Sequence, residues 1–123
     1  MINRISDVIH LVPEYTEKVY ASGPSKDILD CADAFFQTIP PYYRKLLTVD
    51  NVTINEGGTI NIDWMVGFGR NRCFVSIEIG NGRVGFFSEM PDGINPEGVY
   101  PIGNECPKPI IKALQTIYCR ESD

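Results

Sequence analysis

The chain has 123 residues, of which 43% are hydrophobic and 22% charged, and its formal net charge is −5. Those values describe one ordinary globular domain, long enough to bury about 65% of its unfolded surface without a structural metal or a disulfide framework. They argue against disorder, collagen-like repeats and coiled coils, and no run approaches the ~18 apolar residues of a membrane helix.

Ile5, Val8, Ile9 and Val12 fall at helical spacing behind Asn3 as a cap. Pro13 interrupts, and Glu14 to Tyr20 reads as a second short helical piece before the Ser22-Gly23-Pro24 break. The clearest helix runs from Ser25, an N-cap, to Ile39. Ile28, Leu29, Ala32, Phe35, Phe36 and Ile39 lie within an arc of about 120°, with Asp27, Asp30 and Asp33 on the opposite, solvated face. Pro40-Pro41 ends it and starts another turn carrying Tyr42, Tyr43, Leu46 and Leu47.

Near residue 48 the apolar period changes from 3.6 to 2. Val52 and Ile54 form one alternating run, Ile60, Ile62, Trp64, Val66 and Phe68 a second, and Cys73, Val75, Ile77 and Ile79 a third. Asn81-Gly82 is the preferred pair for a two-residue hairpin turn. That register sets Ile79 opposite Val84, Ile77 opposite Phe86, Ser76 opposite Phe87 and Phe74 opposite Glu89, so apolar faces apolar. Residues 91–106 show no usable period and read as a long acidic loop rich in Pro and Gly. Pro107 and Pro109 then open a C-terminal helix striped by Ile110, Ile111, Leu114 and Ile117, with Lys112, Gln115 and Arg120 outward.

The predicted fold is therefore a single α+β domain over residues 1–123. A helical region (1–47) precedes a four-stranded antiparallel meander (48–90), the acidic loop (91–106) and a helix (107–120). N-terminal and C-terminal helices cover one sheet face.

The N-terminus lacks a secretory apolar core, so a cytoplasmic location is expected. Cys31, Cys73, Cys106 and Cys119 are widely spaced and read as reduced thiols rather than disulfides. With His10 the only histidine and no Cys-x-x-Cys pair, neither a metal site nor a cofactor is expected. His10 has no partner in the sequence that would make it a general base. Gly80-x-Gly82-x-x-Gly85 matches a dinucleotide spacing, but it straddles a hairpin rather than a strand-to-helix turn. The acidic balance, with only Arg70, Arg72 and Arg83 as a basic group, argues against direct nucleic-acid binding.

Alternation places Met65, Phe74, Phe87 and Glu89 on the sheet face turned away from the helices, with Asn61, Asp63, Ser76, Glu78, Arg83 and Gly85. Two phenylalanines and a methionine are a surplus on a solvated face and mark an interface. Asp92, Glu97, Tyr100 and Glu105 make the adjoining loop a second candidate surface, stiffened by prolines and with Tyr100 as an aromatic anchor. The expected function is a non-enzymatic protein–protein interaction. The role that fits is a small acidic inhibitor of antitoxin, immunity or phage anti-defence (anti-CRISPR-like) type, blocking a partner that is itself basic and nucleic-acid-binding. A homodimer through the same face is a variant of this reading. The alternative is a small-molecule-binding module or small enzyme, with a cleft between the 91–106 loop and the sheet using Asp63, Glu78, Glu89 or Tyr100.

Overall fold

The computed structural model describes residues 2–16, 23–45, 47–67 and 69–121. Phe68, Leu46 and most of the second N-terminal helical piece, 17–20, lie outside them, as do the side chains of Cys119 and Arg120. The first helical segment is α1 (Ile5–Val8) continued by a 3-10 turn (Ile9–Leu11), and α2 (Pro13–Thr16) follows. The long helix α3 spans Lys26–Thr38, with the Ser25 hydroxyl accepting from the Ile28 N–H as its cap. The Pro40-Pro41 pair starts α4 (Pro41–Arg44), and α5 (Lys108–Glu121) closes the chain.

Five strands follow one another as a meander: β1 (Val52–Ile54), β2 (Ile60–Val66), β3 (Cys73–Ile79), β4 (Arg83–Glu89) and β5 (Glu97–Pro101). All neighbours are antiparallel. The predicted hairpin register holds residue for residue, with Ile79 opposite Val84 and Phe74 opposite Glu89. Gly82 takes the positive φ, +79°, that a tight turn requires, and its N–H donates to the Cys31 thiol of α3, pinning the turn to the helix layer.

The strand count corrects the sequence reading from four to five. Glu97-Gly98-Val99-Tyr100-Pro101 carries a glycine and a proline, which conceal it, yet it pairs with residues 83–87 of β4 and covers that stretch of the edge. Pro101 is tolerated because it ends an edge strand. At Gly98 the Tyr100 ring folds back over the backbone, and an added Cβ would lie 2.7 Å from its hydroxyl, so a larger residue there requires the Tyr100 side chain to move.

The helices cover one sheet face. Ile60, Ile62, Trp64, Val75, Ile77, Ile79, Val84 and Phe86 meet Phe35, Phe36 and Ile39 of the α3 side and Ile110, Leu114 and Ile117 of α5. The Asp27–Asp30–Asp33 face is only partly solvated. Asp33 reaches α1, accepting from the Ser6 N–H at 2.9 Å and pairing with Arg4 at 3.2 Å, while Asp30 pairs with exposed Lys26. One predicted surface acid is thus spent on joining two helices.

Cys106 is buried, and burial pushes its thiol from its ordinary 9.0 up to about 11, against a smaller opposing pull from a hydrogen bond with Thr38. Above pH 9 the unfolded chain loses this proton while the native chain keeps it. Stability therefore falls as pH rises from about 9 toward 11. Thermal melts across that window are expected to fall more steeply for the native sequence than for Cys106→Ala, which lacks the group.

Candidate functional site

The sheet face away from the helices is a grid of short rows fixed by the register. Asn61, Glu78, Gly85 and Val99 form one row, Asp63, Ser76, Phe87 and Glu97 the next, and Met65, Phe74 and Glu89 the third. The centre is apolar. The Phe74 and Phe87 rings sit on a diagonal with centroids 6.3 Å apart at 65°, an edge-to-face pair, and Met65 is the direct cross-strand neighbour of Phe74. Met65, Phe87 and Val99 remain 60%, 40% and 67% exposed. Left exposed on one face, such side chains present an uncovered apolar contact area.

Polar groups frame that centre. At one end Asn55 donates to Asn61 at 2.6 Å, Thr59 donates to Glu78 at 2.7 Å and Asn61 donates to Ser76 at 3.0 Å, a network that holds these side chains in place. At the other, Arg72 lies over the Phe74 ring, 5.4 Å from its centroid, and bridges Glu89 at 3.0 Å. The Glu89 charge is thus partly neutralised. Glu78 and Glu97 have no ion-pair partner among the described residues. Between them Gly85 leaves a shallow depression of about 530 Å³, floored in part by Phe87. One oxygen of Asp63, Oδ1, is buried with no hydrogen-bond partner among the described residues, an unmet acceptor at the same face.

Of the predicted contact residues, the structure brings Met65, Phe74, Phe87, Glu89 and Glu97 onto this one surface. It places the other three elsewhere. Tyr100 points to the helix-covered side, half-buried beside Val84, because its strand position alternates with Val99. Asp92 sits in the turn before β5, where its carboxylate accepts from the Ile94 N–H at 2.9 Å, and Glu105 is exposed on the connection to α5. Val99 belongs to the face but carried no signal while its strand was read as loop. In place of a free loop beside the sheet, residues 97–101 extend the sheet as β5. Asp63, Glu78 and Glu89 therefore lie on one face and Tyr100 on the other, and the four do not converge.

His10 is exposed on its 3-10 turn. Among the described residues no group of three His, Cys, Asp or Glu side chains is placed to hold a metal, and no helix is long and apolar enough to cross a membrane. No protein-family model, curated protein or solved structure matches the chain.

Proposed function

We propose that this chain is a non-enzymatic binding protein that docks a basic partner protein on its outer sheet face and blocks it by covering it. The observation that carries the reading is the Met65–Phe74–Phe87 centre, rimmed by the uncompensated carboxylates of Glu78 and Glu97. An apolar, aromatic centre inside a charged rim is the usual anatomy of a protein interface. The sign of the rim, on a chain of net charge −5, selects a cationic surface. Nucleic-acid-binding proteins present such surfaces, and an acidic inhibitor of antitoxin, immunity or anti-defence type acts by occupying them.

The test is affinity capture from the native host, followed by kinetics on the purified pair. Lysine at both Glu78 and Glu97 is expected to slow association about tenfold at low salt, with a smaller effect on dissociation. Added salt should narrow the gap. A partner of acidic surface, or association indifferent to both substitutions and to salt, would sink the proposal. Light scattering on the isolated chain that showed a stable two-fold dimer burying Phe74 and Phe87 would replace the partner by a second copy.

A further inference from the structure

A second concavity lies away from the sheet face, between the turn at residues 90–96 and the first turns of α5. Its volume is about 520 Å³, within the range of small-molecule sites. Met90, Ile94 and Pro96 line the turn side, and Pro109 and Ala113 the helix side. Ile94 stands 67% exposed over it, an aliphatic side chain left in water beside an apolar groove.

The turn wall is built independently of the helix. The Gly93 N–H donates to the Met90 carbonyl at 3.0 Å, the Met90 N–H to the Asn95 side chain at 2.9 Å, and the Ile94 N–H to Asp92 at 2.9 Å. Buried Ser88 donates to the Pro96 carbonyl at 2.7 Å, fixing the far end. A wall held by its own hydrogen bonds, with prolines at 91 and 96, keeps the groove open rather than letting it collapse onto α5.

The groove's charge is opposite to that of the molecule. Lys108 and Lys112, one helical turn apart on α5, both border it, and neither forms an ion pair among the described residues. Among the described residues Asp92 is the one bordering carboxylate, held toward the turn's own backbone by the Ile94 N–H, so two lysines face one acid and the lining keeps a positive balance. Apolar walls beside two ammonium groups that outnumber the single carboxylate call for a hydrocarbon tail and an anionic head in one molecule. The lining on α5 runs from Lys108 to Thr116, about 12 Å of helix. That length suits a small ligand better than a docked helix of ordinary size, near 17 Å. We propose that this groove binds an aliphatic carboxylate, the tail against Met90, Ile94 and Ala113 and the head between Lys108 and Lys112.

The experiment titrates the full chain with decanoate, following backbone amides by NMR. Saturable shifts at Ile94, Ala113 and Thr116 are expected, with decylammonium (tail, wrong charge) and acetate (head, no tail) producing none. Lys108→Gln combined with Lys112→Gln, both at exposed positions, is expected to weaken decanoate binding at least tenfold without changing the thermal midpoint. Ile94→Asp should weaken it comparably by charging the tail side. Absence of saturation, equal binding of decylammonium, or shifts centred on Phe87 and Val99 would overturn the proposal. So would an acidic, aliphatic peptide that outcompetes decanoate at this groove, since the occupant would then be a protein segment. The outer sheet face is tested separately, by capture of a protein, and of these outcomes only shifts centred on Phe87 and Val99 would fall on it.

Discussion

Serine at both Phe74 and Phe87 is expected to abolish partner capture while leaving a folded chain. The two rings form the edge-to-face pair at the centre of the outer face, the position where alanine scans find most of an interface's free energy. Loss of an aromatic anchor there costs about 2–4 kcal/mol. Two anchors bring the expected loss to roughly a thousandfold or more in affinity. The cost to folding is smaller, because neither side chain belongs to the helix-covered core and Phe87 is already 40% exposed. Forfeiting the ring pair costs about 0.5–1.5 kcal/mol, with a further fraction for serine's weaker strand preference. Threonine at both positions restores that preference and keeps the face polar, so it separates lost contact from lost stability. Capture is measured by pull-down and calorimetry, and folding by circular dichroism and thermal midpoint. Undiminished affinity in the folded double variant would remove this face as the binding site.

The face could be read from the sequence to the extent that its strands alternate strongly. In β2, β3 and β4 the inward positions are Ile, Val, Trp and Phe apart from Cys73 and Ser88, so their alternation is clear, and Asn81-Gly82 locks the register of one hairpin to the residue. Met65, Phe74 and Phe87 followed from that pattern alone. β5 breaks it: its inward positions are Gly98 and Tyr100, and its outward, exposed ones are Glu97, Val99 and Pro101. No period-2 signal survives such an arrangement, because the strand is specified by the waiting edge of β4 rather than by its own composition. For that reason the sequence alone places Tyr100 at the surface and gives no signal for Val99. Asp33 shows the same limit on the helical side. Its position opposite the apolar stripe says solvent, whereas the approach of α1, which gives it the Ser6 N–H and Arg4, is a tertiary fact. The groove under Ile94 likewise joins a turn to a helix whose lining residues begin a dozen positions later, and no local pattern connects them.

The largest expected loss of stability is at Trp64, the only tryptophan and among the largest fully buried side chains. It sits in β2, on the helix-covered side, 2% exposed. Its indole N–H donates to the Tyr43 carbonyl at 3.1 Å, and the Tyr118 hydroxyl donates to the same oxygen. One backbone carbonyl of α4 thus ties the sheet to α5, inside a cluster where the Tyr43 and Tyr118 rings lie 5.1 Å apart. Trp64→Ala removes the ring and leaves a cavity, at about 3–5 kcal/mol, a large fraction of the roughly 5–15 kcal/mol that holds a domain together. Chemical denaturation followed by far-UV circular dichroism should show a midpoint lowered accordingly, or no folded baseline at all. Trp64→Phe and Tyr118→Phe dissect the polar part. Each single change leaves the Tyr43 carbonyl one donor and is expected to cost about 1 kcal/mol beyond any packing term. Together they strip it of both, so the double variant should lose more than the sum of the singles, by about 1 kcal/mol or more. Strict additivity would mean that water replaces the donors at Tyr43, and that the carbonyl is not the tie between sheet and helix that its two hydrogen bonds describe.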